Sequence, residues 1–160
     1  MQYILKQRYF SLRDEFTISD TQGTPHYQIE SKIFTFPKKF WMSDMAGREI
    51  MLVRAKLLSL FGKFEFRVNE DNVIGYIKRR FALFVKRCTV ETQYGKWKVK
   101  GNVFSWSFDV YDENKNRVIE IDKKILQIAD SYSVKTVDNR YDDIAIAIAL
   151  CLDAWFHPRH

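Results

Sequence analysis

Hydrophobic and polar residues alternate along most of this chain, and the alternation is organised as a repeat. Each unit has an alternating run that begins with an apolar, mostly aromatic residue, a short polar turn, and a second alternating run. A basic residue followed by two apolar ones ends the clearest units, which are FTISDTQGTPHYQIESKIFTF from Phe16, FWMSDMAGREIMLVRAKLLSL from Phe40 and FEFRVNEDNVIGYIKRRFAL from Phe64. Alternation with a period of two on both sides of a polar turn is typical of a β-hairpin, so each unit predicts one hairpin.

Two sets of anchor residues keep the repeat in step. The first set opens the units at intervals of 24, 24, 24, 20 and 24 residues and consists of Phe16, Phe40, Phe64, Cys88, Phe108 and Tyr132. The second set, at intervals of 24, 24, 23, 23 and 22 residues, consists of Phe10, Phe34, Leu58, Phe81, Phe104 and Leu126. With an opening pair of strands and a closing half unit, the repeat predicts about twelve antiparallel strands.

The predicted turns are rich in residues that tolerate left-handed backbone or that hydrogen-bond to their own main chain. They lie at 20–23, 44–47, 69–72, 93–95 and 112–116. A sheet of about twelve strands accumulates twist and exposes its edges unless it closes into a barrel. A barrel of this size encloses a wider lumen than its own side chains fill.

The segment 144–152 is apolar without interruption. The alternation of Ile and Ala over 144–149 is also compatible with a strand. However, Ala favours helices over strands, Asp142 and Asp143 suit a helix N-terminus, and Pro158 ends the segment. We therefore predict a helix over Asp142–Phe156, which is apolar all round and needs to be enclosed. Its length of about 22 Å falls short of the roughly 30 Å that a bilayer span requires.

The wide barrel and the apolar helix complete each other, since one needs a filler and the other a sheath. Burying the seven large apolar side chains of the helix would contribute on the order of 10–20 kcal/mol before entropy is counted. The predicted fold is therefore mainly β, a closed antiparallel barrel of about twelve strands that encloses a hydrophobic C-terminal α-helix. We expect residues 1–160 to form a single domain, with 142–156 as its central buried helix.

Composition adds a local excess of positive charge. The chain has 160 residues and a formal net charge of +6. Between residues 78 and 100 a single acid, Glu91, accompanies eight cations, which are Lys78, Arg79, Arg80, Lys86, Arg87, Lys96, Lys98 and Lys100. We name these eight as candidate anion-binding residues, because such a patch attracts the phosphates of lipid or nucleic acid.

Part of this basic stretch has a clear strand pattern. In the run KWKVK, the three lysines share one face while Trp97 and Val99 face the core. Three aligned cations are suited to binding phosphates. Rows of lysine also keep outer sheet faces soluble and sheet edges unpaired, so that interpretation stays open.

The residues that support catalysis or metal binding elsewhere form no recognisable constellation in this sequence. Cys88 and Cys151 lie in unrelated segments without a CxxC pair, which argues against zinc and favours a reducing cytoplasm. His26 lies in a predicted turn, and His157 and His160 end the chain, so we expect all three at the surface. No GxSxG elbow, P-loop or GxGxxG motif is present. We therefore expect no catalytic residue, no metal ion and no cofactor.

Asp153 lies inside the apolar helix, where burial would raise its pKa and suit it to a proton-linked switch. Because it is near the last helical turn, we expect it instead to reach the mouth of the barrel or to meet a lysine or a backbone donor. At the other terminus, MQYILK is apolar over too few residues for a signal peptide, and we expect a cytoplasmic protein.

Three stretches of the sequence together carry a resemblance to a known family. They are the opening MQYILKQRYFSLRDEFTISDTQG, the recurring unit KIFT from Lys32 and KLLS from Lys56, and the closing apolar helix with Asp153. Over essentially its whole length, the chain resembles the LURP-one-related, or YxjI-type, proteins of the tubby-like superfamily. The resemblance implies a closed twelve-stranded barrel threaded by a C-terminal helix. Tubby domains bind phosphoinositides, so it also implies a general affinity for anionic lipid, although no phosphoinositide-ligand motif maps onto this sequence residue by residue.

We interpret the chain as a non-enzymatic binding or scaffold protein whose basic outer face tethers it to anionic phospholipid. The main alternative is a protein-interaction module with no lipid or nucleic-acid role. A nucleic-acid binder needs exposed aromatic rings, so inward-facing Trp97, Trp106 and Phe108 would count against it, and a small-ligand carrier needs a cavity that a helix in the lumen removes. We expect a cytoplasmic, peripherally membrane-associated protein without a transmembrane segment.

Overall fold

The computed structural model describes residues 1–10, 13–32, 36–59, 62–80, 87–102, 104–123 and 131–156, and of residues 6–10 and 13–14 it describes the backbone only. The described residues form twelve strands and two helical elements. They are β1 (Gln2–Phe10), β2 (Arg13–Asp20), β3 (Pro25–Lys32), β4 (Lys39–Asp44), β5 (Glu49–Ala55), β6 (Lys63–Arg67), β7 (Val73–Arg80), β8 (Arg87–Thr92), β9 (Gly95–Asn102), β10 (Ser107–Tyr111), β11 (Arg117–Asp122), β12 (Ser131–Thr136), a 3-10 turn (Asn139–Tyr141) and α1 (Asp142–Phe156).

The strands form a closed antiparallel barrel in chain order. Each strand pairs with its neighbours in sequence, and β1 pairs with β12 to close the sheet, with Leu5 opposite Tyr132. Because all neighbours are consecutive, the connections that follow odd-numbered strands lie at one end of the barrel, which we call the loop end. The connections that follow even-numbered strands lie at the other end, the turn end, where α1 also begins. The helix therefore enters at the turn end and finishes at the loop end.

The first anchor set of the repeat lines the barrel interior near the loop end. All six members lie in the first half of an even-numbered strand, and none is more than 3% exposed: Phe16, Phe40, Phe64, Cys88, Phe108 and Tyr132. From each anchor the side chains alternate inward and outward along the strand, as a pleated backbone requires. The repeat seen in the sequence is thus a repeat of core positions.

The tight connections at the turn end depend on aspartate side chains that hydrogen-bond to the main chain. Oδ1 of Asp20 accepts hydrogen bonds from the backbone amides of Gln22 at 2.9 Å and Thr24 at 3.0 Å. Asp44 repeats this arrangement with Ala46 and Arg48, at 2.9 and 3.0 Å. Local bonds of this kind are the reason that Asp recurs at turns, and they fix the hairpin registers.

The helix α1 occupies the barrel interior. Asp142 and Asp143 lie in its first turn, and residues 144–152 are all buried, on every side of the helix. Near its C-terminal end Trp155 packs against Phe64 at 5.1 Å between ring centroids, and Phe156 stacks on Phe108 at 6.0 Å. The predicted fold, a closed antiparallel barrel of twelve strands enclosing a hydrophobic C-terminal helix, is confirmed.

Candidate functional site

Six of the eight predicted anion-binding residues lie on the outer surface of three adjacent strands. Their alternation with buried residues of β7, β8 and β9, such as Ile77, Cys88 and Trp97, directs them outward. We call this surface the basic face, and it consists of Lys78, Arg80, Arg87, Lys96, Lys98 and Lys100. All six are on strands that become neighbours because β7–β8 and β8–β9 are hairpins, so the cluster is a direct product of the repeat.

The strand register places cations of the basic face side by side. Arg80 is directly opposite Arg87, and Arg87 is directly opposite Lys100, so one row across three strands carries three positive charges. In the next outward row, Lys78 and Lys98 are separated only by Thr89. Like charges directly opposite each other on one sheet face are destabilising. The folded chain therefore holds a repulsive arrangement that a bound anion would relieve.

The two carboxylates that lie opposite cations of the basic face in the strand register have partners of their own. Glu91, opposite Lys96, accepts a hydrogen bond from the hydroxyl of Tyr76. Asp109, opposite Lys100, pairs with Arg117 at 3.3 Å. Within the part of the chain that the structure describes, none of the six cations of the basic face forms an ion pair.

Arg79 does not belong to the basic face, although its two neighbours in sequence do. It shares the inward face of β7 with Ile77 and lies opposite buried Cys88. Its guanidinium carbon is 5.1 Å from the ring centroid of Trp155, near the end of α1. The signal for this was present in the sequence, since strand alternation from an inward Ile77 also turns Arg79 inward. Lys86, the remaining predicted residue, lies outside the described residues.

Lys63 extends the basic face in a way that the sequence alone did not indicate. It is the first residue of β6 and lies directly opposite Lys78. Its ammonium nitrogen is 4.1 Å from the ring centroid of Tyr76, a distance typical of a cation–π contact. Fifteen residues separate it from Lys78 along the chain, so only the register of the β6–β7 hairpin brings the two together.

The aromatic residues that a nucleic-acid binder would use for stacking face the core. Trp97, Trp106 and Phe108 are at most 7% exposed. Trp97 lies stacked at 6.2 Å from Tyr94, with its edge against Tyr141 at 5.0 Å between centroids. Stacking on bases is therefore unavailable to these three rings.

The buried carboxylates of α1 are paired with hydroxyl groups of the barrel wall. Asp142 accepts hydrogen bonds from the hydroxyls of Tyr3 at 2.8 Å and Thr136 at 2.6 Å. Burial, together with this hydrogen bond, raises the pKa of Tyr3 to about 12. Asp153 is buried and accepts a hydrogen bond from the hydroxyl of Tyr132, a partner that sequence reasoning did not anticipate. These pairs satisfy buried polar groups and explain why the helix tolerates its acids.

The remaining chemically reactive residues are held apart or paired. Burial raises the pKa of the Cys88 thiol to about 12 and that of Cys151 well above its usual range, so both thiols stay protonated at neutral pH. His26 lies 3.0 Å from a carboxylate oxygen of Asp20, while His157 and His160 are outside the described residues. Among the residues with described side chains, no three His, Cys, Asp or Glu come together as metal ligands would. No helix within the described ranges is both long and apolar enough to span a membrane.

Comparisons with known proteins agree on one family. A family model described as LURP-one-related matches residues 1–153. Over 153 residues the chain is 26% identical to the uncharacterized protein YxjI of Bacillus subtilis (strain 168), covering 96% of this chain and 92% of that protein. An X-ray structure of an Arabidopsis thaliana protein shares the fold, with a TM-score of 0.67 and 16% sequence identity, covering 96% of this chain and 91% of that one. The chain belongs to the LURP-one-related family.

Proposed function

We propose that this protein is a non-enzymatic, single-domain binding protein that attaches peripherally to anionic phospholipid surfaces through the basic face. The observation that carries the proposal is the row of Arg80, Arg87 and Lys100, three cations in register without an ion-pair partner among the described residues. Phosphate groups of a lipid surface would supply the missing negative charge. Each cation near an anionic bilayer contributes about a fivefold gain in affinity.

A lipid surface suits the basic face better than a nucleic acid does. Of the exposed or half-buried rings around the face, Tyr76 is covered by Lys63, and Tyr111 lies under Lys100 at 5.3 Å. The rings of Trp97, Trp106 and Phe108 are in the core. Binding of single-stranded nucleic acid usually combines cations with exposed stacking platforms, whereas a phospholipid surface requires only the cations.

Sedimentation with liposomes tests the proposal. We expect the protein to sediment at low salt with vesicles of phosphatidylcholine and phosphatidylserine, but not with phosphatidylcholine alone. Binding should weaken as salt is added, because the charges are exposed and are screened within about 10 Å at 0.1 M salt. The triple variant Lys96→Glu, Lys98→Glu, Lys100→Glu should lose this sedimentation.

A matched control distinguishes the basic face from net charge. The triple variant Arg48→Glu, Lys115→Glu, Lys135→Glu also reverses three exposed cations, all at the turn end and on elements other than β7, β8 and β9. It should keep most of the binding, and circular dichroism should show both variants folded. The absence of sedimentation with anionic vesicles at every salt concentration would refute the proposal, as would equal losses in the two triple variants.

A further inference from the structure

The two ends of the barrel differ in how they expose apolar side chains. On three separate connections or their borders at the loop end, Phe36, Leu58 and Phe104 are 85%, 97% and 102% exposed. Leu57, beside Leu58, is also exposed. At the turn end, the large apolar side chains that the structure describes reach at most 69% exposure, at Val137. Single exposed apolar residues are ordinary on protein surfaces, but several large ones on one end call for an explanation.

The repeat itself places these apolar residues at the loop end. Leu58 and Phe104 are equivalent members of the second anchor set, the positions that recur every 22–24 residues along the chain. The first anchor set is buried, so packing in the core accounts for its recurrence. The second set recurs with the same regularity, yet its two members with described side chains are almost completely exposed to solvent. Core packing therefore does not account for these two positions.

Charge is also distributed unequally between the ends. Among the described side chains of the connections and of the two strand residues on either side, the loop end carries ten lysine and arginine residues and a single acid, Asp122. The turn end, counted in the same way with the first two residues of α1, carries seven lysine and arginine residues and eleven aspartate and glutamate residues. Within the described residues, the end with the apolar tips is thus positive and the other end is negative.

A cleft on the outer surface lies directly beside one of the tips. Its volume is about 280 Å³, and Leu57, Leu58, Arg54 and Glu65 are among its lining residues. Glu65 is already neutralised by Arg67 at 2.8 Å and by a lysine at 3.2 Å. Within the described chain Arg54 has no ion-pair partner, so the cleft presents an uncompensated cation next to an exposed apolar tip.

We propose that the loop end inserts Phe36, Leu57, Leu58 and Phe104 into the boundary between headgroups and acyl chains of an anionic bilayer, with the barrel axis upright. Arg54 then meets a lipid phosphate in the cleft beside Leu58. The occupant is a bilayer because the tips are separate points on several connections, surrounded by cations, and both features match a fluid anionic interface. This inference rests on the proposed function and deepens it, since it specifies that the loop end of the barrel is the part that touches the membrane.

In an upright orientation, the three lysines of β9 lie at different distances from the membrane surface. Lys100 is near the loop end, whereas Lys96 follows the turn-end connection and lies about 13 Å away along the strand. At 0.1 M salt this separation exceeds the screening length of about 10 Å. Lys100→Glu should therefore weaken binding to phosphatidylserine vesicles about 30-fold, and Lys96→Glu less than about fivefold. Lys98→Glu should fall between the two.

A fluorescent probe tests insertion independently. Because Cys88 and Cys151 are buried, an environment-sensitive fluorophore on the single variant Phe104→Cys reports that position alone. With anionic vesicles its emission should shift to the blue and be quenched by lipids spin-labelled in the upper acyl chain. The same fluorophore on Thr21→Cys, at an exposed position of the turn end, should show neither effect.

The outcomes separate the two proposals. A gradient from Lys96 to Lys100 together with quenching only at position 104 supports upright insertion. Equal losses for the three single lysine variants, with sedimentation of the unmodified protein intact, mean that the basic face lies flat on the membrane; that result overturns the insertion but leaves the proposed function standing. Quenching at position 21 also overturns it. A protein that sediments with no anionic vesicle overturns both.

Discussion

Replacement of Ile148 by alanine measures how much the packing of α1 inside the barrel contributes to the free energy of unfolding. Ile148 is fully buried at the middle of α1. Ile148→Ala removes three carbon atoms, which corresponds to about 2.4 kcal/mol of transfer free energy at roughly 0.8 kcal/mol for each group. The vacated space adds a cavity term, because a wall closed by strand pairing between β1 and β12 has little freedom to collapse. We therefore expect the free energy of unfolding to fall by about 3–5 kcal/mol.

Thermal and urea unfolding provide the assay. For a chain of this size, a loss of about 3–5 kcal/mol corresponds to a fall in Tm of roughly 6–20 °C. Leu58→Ala is the matched control, since it truncates a large aliphatic side chain that is almost completely exposed. It should change the free energy of unfolding by no more than about 0.5 kcal/mol.

The comparison refutes the reasoning if the two variants lose similar stability, or if Ile148→Ala costs less than about 1 kcal/mol. Either result would mean that the barrel wall relaxes onto the shortened side chain or that α1 contributes little to the core. An unchanged denaturant slope is required for both variants, so that a shift in midpoint reports stability and not a change in the unfolded state.

Three further predictions concern other parts of the barrel. Burial of Glu65 acts to raise its pKa, but hydrogen bonds from neighbouring cations outweigh burial and lower it. Glu65→Gln should therefore lower the free energy of unfolding by about 1 kcal/mol at pH 7, and this difference from the unmodified protein should vanish as acid protonates the native carboxylate. A difference in stability that persists at low pH would contradict the assignment. Because burial raises the pKa of Cys88 and Cys151, their reaction with a thiol reagent should follow global unfolding, and rapid labelling of the native protein would show that one of them is accessible. A Cβ on Gly101 would lie 2.2 Å from the ring of Phe108 and 2.7 Å from a backbone oxygen. Gly101→Ala should therefore lower the Tm measured by differential scanning calorimetry by several degrees. An unchanged Tm would mean that β9 and β10 move apart to accommodate the added methyl group.

The repeat made most of the fold predictable from the sequence. Two local signals carry the repeat: a buried anchor in the first half of each even-numbered strand, such as Phe40, and a turn residue that hydrogen-bonds to its own main chain, such as Asp44. Closure followed from strand number, because an open sheet of twelve strands has no stable way to cover its edges. The helix followed from composition, since residues 144–152 have no polar face to present to water.

The membership of the basic face was less predictable, for a geometric reason. Cations that are neighbours in sequence are divided by strand alternation between the outer and inner faces of the barrel wall. This alternation directs Arg79 inward, toward Trp155. Conversely, Lys63 lies beside the basic face because of the pairing register of the β6–β7 hairpin, and the sequence alone does not show which residues of the two strands are opposite each other. The exposure of Leu58 was also not predictable, because an apolar residue that recurs in a repeat is expected in the core, whereas Leu58 lies in the connection between β5 and β6.

The two ends of the barrel have different freedom to acquire function. At the turn end, successive strands are joined by two to five residues, and the side chains of Asp20 and Asp44 hold their hairpins together, so substitutions of these aspartates act on the fold. At the loop end, the connections after β3, β5, β7 and β11 are six to eight residues long. Loops held by a rigid scaffold are where binding residues usually concentrate. Since α1 fills the axis of the barrel, the binding that we propose involves the outer wall and the ends. The loop end combines the longest connections with the exposed apolar tips and, among the described residues, with an excess of cations.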